Sequence, residues 1–148
     1  MGTRSRIGLR LPDDSILSVY CHWDGYPDYN GVILEHLYKN KDSISELIDG
    51  GDISSLLTRS DWEYKEFEED PRPLYYSERG EDCPPKLDYS ITEFYESCDN
   101  CGAEYGYIFD NGNWTCYDVY NNVGEIKDIP DKSVEEFERD YLTPEPVK

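Results

Sequence analysis

Residues 5–11 and 15–23 alternate on either side of Pro12-Asp13-Asp14, and the parity of that turn decides which side chains share a face. An even-numbered loop opposes Leu17 with Arg10 and Leu9 with Ser18, mixing polar and apolar groups on both faces. A three-residue loop opposes Leu9 with Leu17 and Ile7 with Val19, and each face is then coherent. The odd loop is therefore expected. One face takes Ile7, Leu9, Leu17, Val19, Cys21 and Trp23 into the core, and the other carries Arg4, Arg6, Arg10, Tyr20, His22 and Asp24. Cys21 and His22 point to opposite sides, which removes most of the case for a thiolate–imidazolium pair.

Asp24-Gly25-Tyr26-Pro27 releases the chain from this ribbon. Ile33, Leu34, Leu37 and Tyr38 then recur at helical spacing, and Ser43-x-x-Glu46 is a capping box for a short helix stopped by Gly50-Gly51. Asp52 is placed to cap another turn through Leu57. Residues 61–72 are acidic with embedded Trp62, Tyr64 and Phe67, a surface loop or an irregular edge strand, and Leu74-Tyr75-Tyr76 reads as a strand. Ser90-x-x-Glu93 heads a helix over 90–100. Asn111-Gly112 joins strands 104–110 and 113–119 as a type I′ hairpin that opposes Phe109 with Trp114 and Tyr107 with Cys116. Ser133-x-x-Glu136 starts a last helix that Pro144 ends. The order predicts an α+β fold: a mostly antiparallel sheet (N-terminal hairpin, middle strand, C-terminal hairpin) with three to four helices on one face. A single domain over 1–148 is expected, with an acidic irregular connection at about 58–89.

The formal net charge of −19 is unevenly placed. Residues 1–40 hold four basic and five acidic side chains, and the remaining 108 hold ten and twenty-eight. A field of that sign repels nucleic-acid phosphates and anionic membranes and attracts basic protein surfaces. Direct nucleic-acid and membrane binding are thus not expected, and a partner protein with a basic surface is. With 14% aromatic residues the chain is too rich in ring side chains to stay disordered despite its charge. No apolar run approaches the length of a membrane span and no signal-peptide core follows Met1, so a cytoplasmic location is expected.

Five cysteines in a reducing compartment argue against a disulfide framework. Cys98-x-x-Cys101-Gly102 has the form of half a zinc ribbon, but no second such pair supplies the other two ligands. Cys98 also continues the apolar stripe of Ile91, Phe94 and Tyr95 as a small buried hydrophobe, so neither metal nor cofactor is expected. His22 with Asp24 has the composition of a general base and its orienting acid. No nucleophile elbow, phosphate loop or metalloprotease helix accompanies the pair.

The strings Thr3-Arg4-Ser5-Arg6-Ile7-Gly8, Tyr20-Cys21-His22-Trp23-Asp24-Gly25-Tyr26-Pro27 and Arg79-Gly80-Glu81-Asp82, with Glu104-Tyr105 through Trp114, carry a likeness over most of the chain. In them the sequence resembles small accessory proteins of tailed bacteriophages, cyanophages among them. The resemblance implies a viral protein made in a bacterial host, hence the host cytoplasm, and implies no particular activity. Three functions follow from the residues and this context. The first is a non-enzymatic accessory protein that binds and modulates or inhibits a host macromolecule through its acidic, aromatic-rich surface, with DNA mimicry as a special case. The second is sequestration of a small anionic ligand, such as a nucleotide signal. Arg4, Arg6, Tyr20 and His22 would hold it, with Trp23, Asp24 and Tyr26 nearby and Arg79 joining from mid-chain. The third is a hydrolase or transferase using His22.

Overall fold

The computed structural model describes residues 2–143. Its opening hairpin has the odd register: β1 (Ser5–Arg10) pairs antiparallel with β2 (Ile16–Cys21), Leu9 opposite Leu17 and Ile7 opposite Val19. Asp14 closes the loop in the left-handed region (φ 69°), and its N–H donates to the Leu11 carbonyl at 2.9 Å. A three-residue loop ending in such a residue matches the right-handed twist of the strands.

A wide helical turn at Pro27–Gly31 leads into α1 (Val32–Leu37) and α2 (Lys41–Asp49). Asn40 caps α2 by accepting the Ser43 N–H at 2.9 Å, so the helix starts before the Ser43–Glu46 box that sequence suggested. A strand, β3 (Ile53–Ser60), stands where a further helical turn through Leu57 was expected. Three register irregularities against β4 (Phe67–Tyr75) explain the misleading pattern. Bulges break the two-residue period, and Ile53, Leu56 and Leu57 then mimic helical spacing. The acidic stretch 58–89 contains β4 as an edge strand, a 3₁₀ turn at Tyr76–Arg79 and the short β5 (Lys86–Asp88).

The second half follows its local signals. Ser90 caps α3 (Ile91–Asn100), accepting the Glu93 N–H at 3.2 Å. Asn111 (φ 49°) and Gly112 (φ 82°) make the turn between β6 (Tyr105–Asp110) and β7 (Asn113–Asp118), with Phe109 opposite Trp114 and Tyr107 opposite Cys116. A three-residue strand, β8 (Glu125–Lys127), and α4 (Val134–Phe137), with its reciprocal Ser133–Glu136 cap, complete the fold. Pro144, the expected stop, lies outside the described residues.

The fold is α+β, but its eight-stranded sheet is mixed rather than mostly antiparallel. The strand order is β4-β3-β2-β1-β6-β7-β8, with β5 also on β2. β1 runs parallel to β6 over five residue pairs, and β2 meets β3 in parallel at Cys21–Ile53. Parallel neighbours need a crossover, and helices supply both: α1 and α2 between β2 and β3, and α3 between β5 and β6. Nothing in local periodicity announces that the opening hairpin sits in the centre of the sheet.

The helices also cover both faces rather than one. Ile7, Leu9, Val19 and Cys21 pack with Val32, Ile33, Leu34, Ile44, Leu47, Ile48 and Phe137 of α1, α2 and α4. On the opposite face α3 places Phe94 and Cys98 against Ile16, Ile108 and Val119. Every residue from Ser5 to Leu9 is therefore buried. Two expected positions are reversed: Arg6 is only 6% exposed, while Trp23, assigned to the core, is 44% exposed.

β3 and β5 occupy different stretches of the same β2 edge: β5 lies opposite Ile16–Ser18, and β3 begins at Cys21. In the gap between them the Tyr20 N–H donates to the Asp52 carboxylate at 2.9 Å. A side chain thus satisfies the amide that the interrupted ladder leaves over.

Candidate functional site

Below that gap, His22 and Trp23 continue along β3, their N–H groups donating to the carbonyls of Ile53 and Ser54, both at 3.0 Å. This pairing aims the end of β2 across the β3–β4 hairpin. The result is an open groove of about 760 Å³. One wall carries His22, Trp23 and Asp24. The floor is Ser54, Ser55, Thr58 and Ser60 of β3 with Leu74 of β4, and the far wall is Trp62, Tyr64, Tyr76 and Arg79. A second hollow of about 580 Å³ shares Trp62 and Arg79 and adds Asp61, Glu63 and Glu78.

Each wall is held in place by its own bonds. The Trp62 indole N–H donates to the Tyr75 carbonyl at 2.8 Å. The Arg79 guanidinium lies over that indole, 4.1 Å from its ring centroid, and 5.1 Å from the Tyr76 ring, and it pairs with Glu81. The His22 ring meets Trp23 edge-on at 4.8 Å, and its Nδ1 lies 2.6 Å from the Tyr20 hydroxyl. Tyr64 projects at 75% exposure from a backbone with φ 58°. The Asp61 carboxylate shapes that loop by accepting the N–H groups of Glu63 and Lys65 at 3.1 and 3.0 Å. A bulky residue in the left-handed region is strained, and such strain gathers at binding sites.

Burial and the nearby Arg4 charge lower the His22 pKa from its usual value, so the ring is neutral at pH 7. Burial pushes Tyr20 up to about 12 despite the same arginine. A neutral imidazole bonded to a protonated phenol, with hydroxyls and rings around it, is equipped for hydrogen bonding and stacking. Among the described residues His22 pairs with no carboxylate, and Asp24 accepts from the Tyr26 hydroxyl at 3.1 Å.

The eight residues singled out in the sequence divide accordingly. His22, Trp23, Asp24 and Arg79 line the groove. Tyr20 stands behind His22, and Arg4 lies against Gly102 after α3. Tyr26 belongs to an aromatic row with Tyr29 and Tyr141. Arg6 is withdrawn altogether: its Nε and Nη2 donate to the Ser18 hydroxyl and carbonyl at 3.0 and 3.1 Å, and Nη1 faces the Cys101 sulfur at 4.0 Å. The four arginine and histidine side chains do not converge on one anion site. Sequence reasoning missed the serine and threonine floor, because β3 was not recognised. The high density of rings in residues 61–76 was the available clue to the far wall.

Cys21 faces the core, its thiol pushed up to about 12 by burial and contacted by the Asn30 amide N–H at 3.4 Å. Burial also raises Cys98, and the Cys101 thiol turns back to the Cys98 carbonyl at 3.4 Å. Among the described residues no three His, Cys, Asp or Glu side chains form a metal-binding group, and no helix is long and apolar enough to cross a membrane. Comparison with protein-family models, curated proteins and solved structures finds no match.

Proposed function

We propose that the protein is a non-enzymatic accessory protein that docks on a basic surface of a host macromolecule and modulates it. The observation that carries this reading is the groove itself. Exposed rings at Trp23 and Tyr64 flank a polar floor inside a chain of net charge −19. Exposed aromatics serve as anchors when a partner desolvates them, and the surrounding charge speeds encounter with a positive surface. The dispersal of Arg4, Arg6 and Arg79 disfavours a small-anion site. The missing His22–Asp24 contact disfavours hydrolysis or transfer through His22. DNA mimicry is the special case in which the acidic face occupies a basic groove.

The test is affinity capture from bacterial lysate, followed by titration of the purified partner at low and moderate salt. A basic partner is expected, with binding that weakens steeply with salt and falls in Trp23→Ala. Failure to capture a partner, or binding indifferent to both salt and Trp23, overturns the proposal.

A further inference from the structure

We propose that Trp62 and Tyr76 form a guanidinium-recognition cradle, and that the partner enters the groove as an extended, arginine-bearing segment whose arginine replaces Arg79 on the Trp62 ring. The inference rests on the docking reading above and gives it a chemistry. The cradle already holds a guanidinium, at 4.1 Å from one ring and 5.1 Å from the other. Its rings lie 5.2 Å apart at 40°, and the Trp62 bond to the Tyr75 carbonyl fixes the platform whether or not Arg79 is present.

Arg79 itself is lightly held. It sits on an exposed 3₁₀ turn that ends at Gly80 (φ 88°), where no heavy atom of the described residues lies within 4 Å of an added Cβ. Its ion partner, Glu81, is 47% exposed, and water screens that pair. Arg79 therefore keeps the rings covered without locking them.

The groove and the adjoining hollow meet at Trp62 and Arg79, so an occupant runs from Trp23 past the cradle toward Glu63 and Glu78. Residues 61–82 carry nine acidic and three basic side chains, an excess that favours a cationic occupant. These acids supply field rather than a fork. Glu78 is already bound by Arg72 through two bonds of 2.8 and 2.9 Å, and Asp61 is committed to loop amides. Discrimination therefore falls to the rings, and a flat guanidinium stacks on them where an ammonium does not.

The experiment is fluorescence anisotropy with two labelled peptides of equal charge, one alternating arginine with glycine and the other lysine with glycine. They are titrated into the wild type, Arg79→Lys and Trp62→Phe at low and moderate salt. The arginine peptide is expected to bind about three- to ten-fold more tightly. Arg79→Lys keeps the charge but removes the resident guanidinium, and should widen that ratio; Trp62→Phe should narrow it. Equal binding of both peptides overturns the cradle while leaving acidic docking in place. No binding of either peptide at low salt overturns both. Weaker arginine-peptide binding in Arg79→Lys assigns Arg79 itself to ligand contact and overturns the replacement. Thermal stabilisation by a neutral oligosaccharide such as maltohexaose, with no discrimination between the peptides, overturns the cradle in favour of a glycan site.

Discussion

The buried Tyr107 hydroxyl donates to the backbone carbonyl of Gly25 at 2.6 Å, joining the middle of β6 to the turn that follows Trp23 and Asp24. Gly25 is pinned from the other side, its N–H donating to the Thr3 carbonyl at 2.8 Å, and Ser5 and Thr3 leave no room there for a Cβ. The near wall of the groove is thus set by a core strand distant in sequence. Tyr107→Phe keeps the ring but leaves a buried carbonyl unpaired, and should lower unfolding free energy by about 1–3 kcal/mol. Urea denaturation measures the loss. Binding to the partner should fall in the same variant, while its far-ultraviolet circular dichroism stays unchanged.

Arg6 separates the docking reading from the small-anion one. Its guanidinium is spent on Ser18 and, among the described residues, faces no carboxylate within ion-pair distance, so it contributes packing and hydrogen bonds to the space under α3. Arg6→Ala removes a long stem from between β1, β2 and α3 and should cost about 2–4 kcal/mol of stability. Per folded molecule, partner affinity should not change. A selective loss of ligand binding at full stability would restore Arg6 to the functional surface.

Local signals were legible where chemistry is local. The odd loop at Pro12–Asp14, the Asn111–Gly112 turn and the caps at Ser90 and Ser133 were set by residues within a few positions of each other. What escaped was non-local. Arg6 looks like a solvent-facing residue because alternation reports two faces without saying that both are covered. Arg6 and Ser18 are buried on the face that α3 covers, with the Arg6 guanidinium turned toward Cys101 at the end of that helix. β5 and β8 are three residues each, too short for any period, and β3 is disguised by bulges. The groove was half visible: His22, Trp23 and Asp24 lie in the densest stretch of the sequence, but their juxtaposition with Trp62 and Arg79 depends on β3 continuing from the end of β2.

Two carboxylates should give opposite pH signatures. Burial pushes Asp118 up, but the backbone N–H groups of Tyr120, Asn121 and Asn122 outweigh it and hold the carboxyl below its usual 3.8. With a depressed folded pKa, its contribution is present above that value and disappears as pH falls through the folded one. Burial also raises Asp52 above 3.8, against the Tyr20 N–H and Arg6. Its contribution is present below that value and is lost as pH rises through the folded pKa. Urea midpoints from about pH 3 to about pH 7 check both signs. Asp118→Asn should fall behind the wild type as pH rises, whereas Asp52→Asn, which keeps an acceptor for the Tyr20 N–H, should gain on it. Comparing each variant with the wild type at the same pH removes most of the repulsion shared by the whole acidic chain.

Tyr64 joins backbone strain to exposure. A tyrosine at φ 58° sits in a conformation glycine adopts freely, and at 75% exposure its ring gains little from burial within the chain. Tyr64→Gly relieves the strain but frees the unfolded chain at that position, and the left-handed preference should win by about 0.5–1 kcal/mol. Tyr64→Ala retains the strain and should show no such gain. If the ring is kept for docking, both variants should bind the partner more weakly, by about three-fold or more for the loss of an aromatic anchor. Glycine would then raise the melting temperature while lowering affinity, and alanine would lower affinity alone. A glycine variant that is more stable and binds as well as wild type would show that Tyr64 lies outside the docking surface.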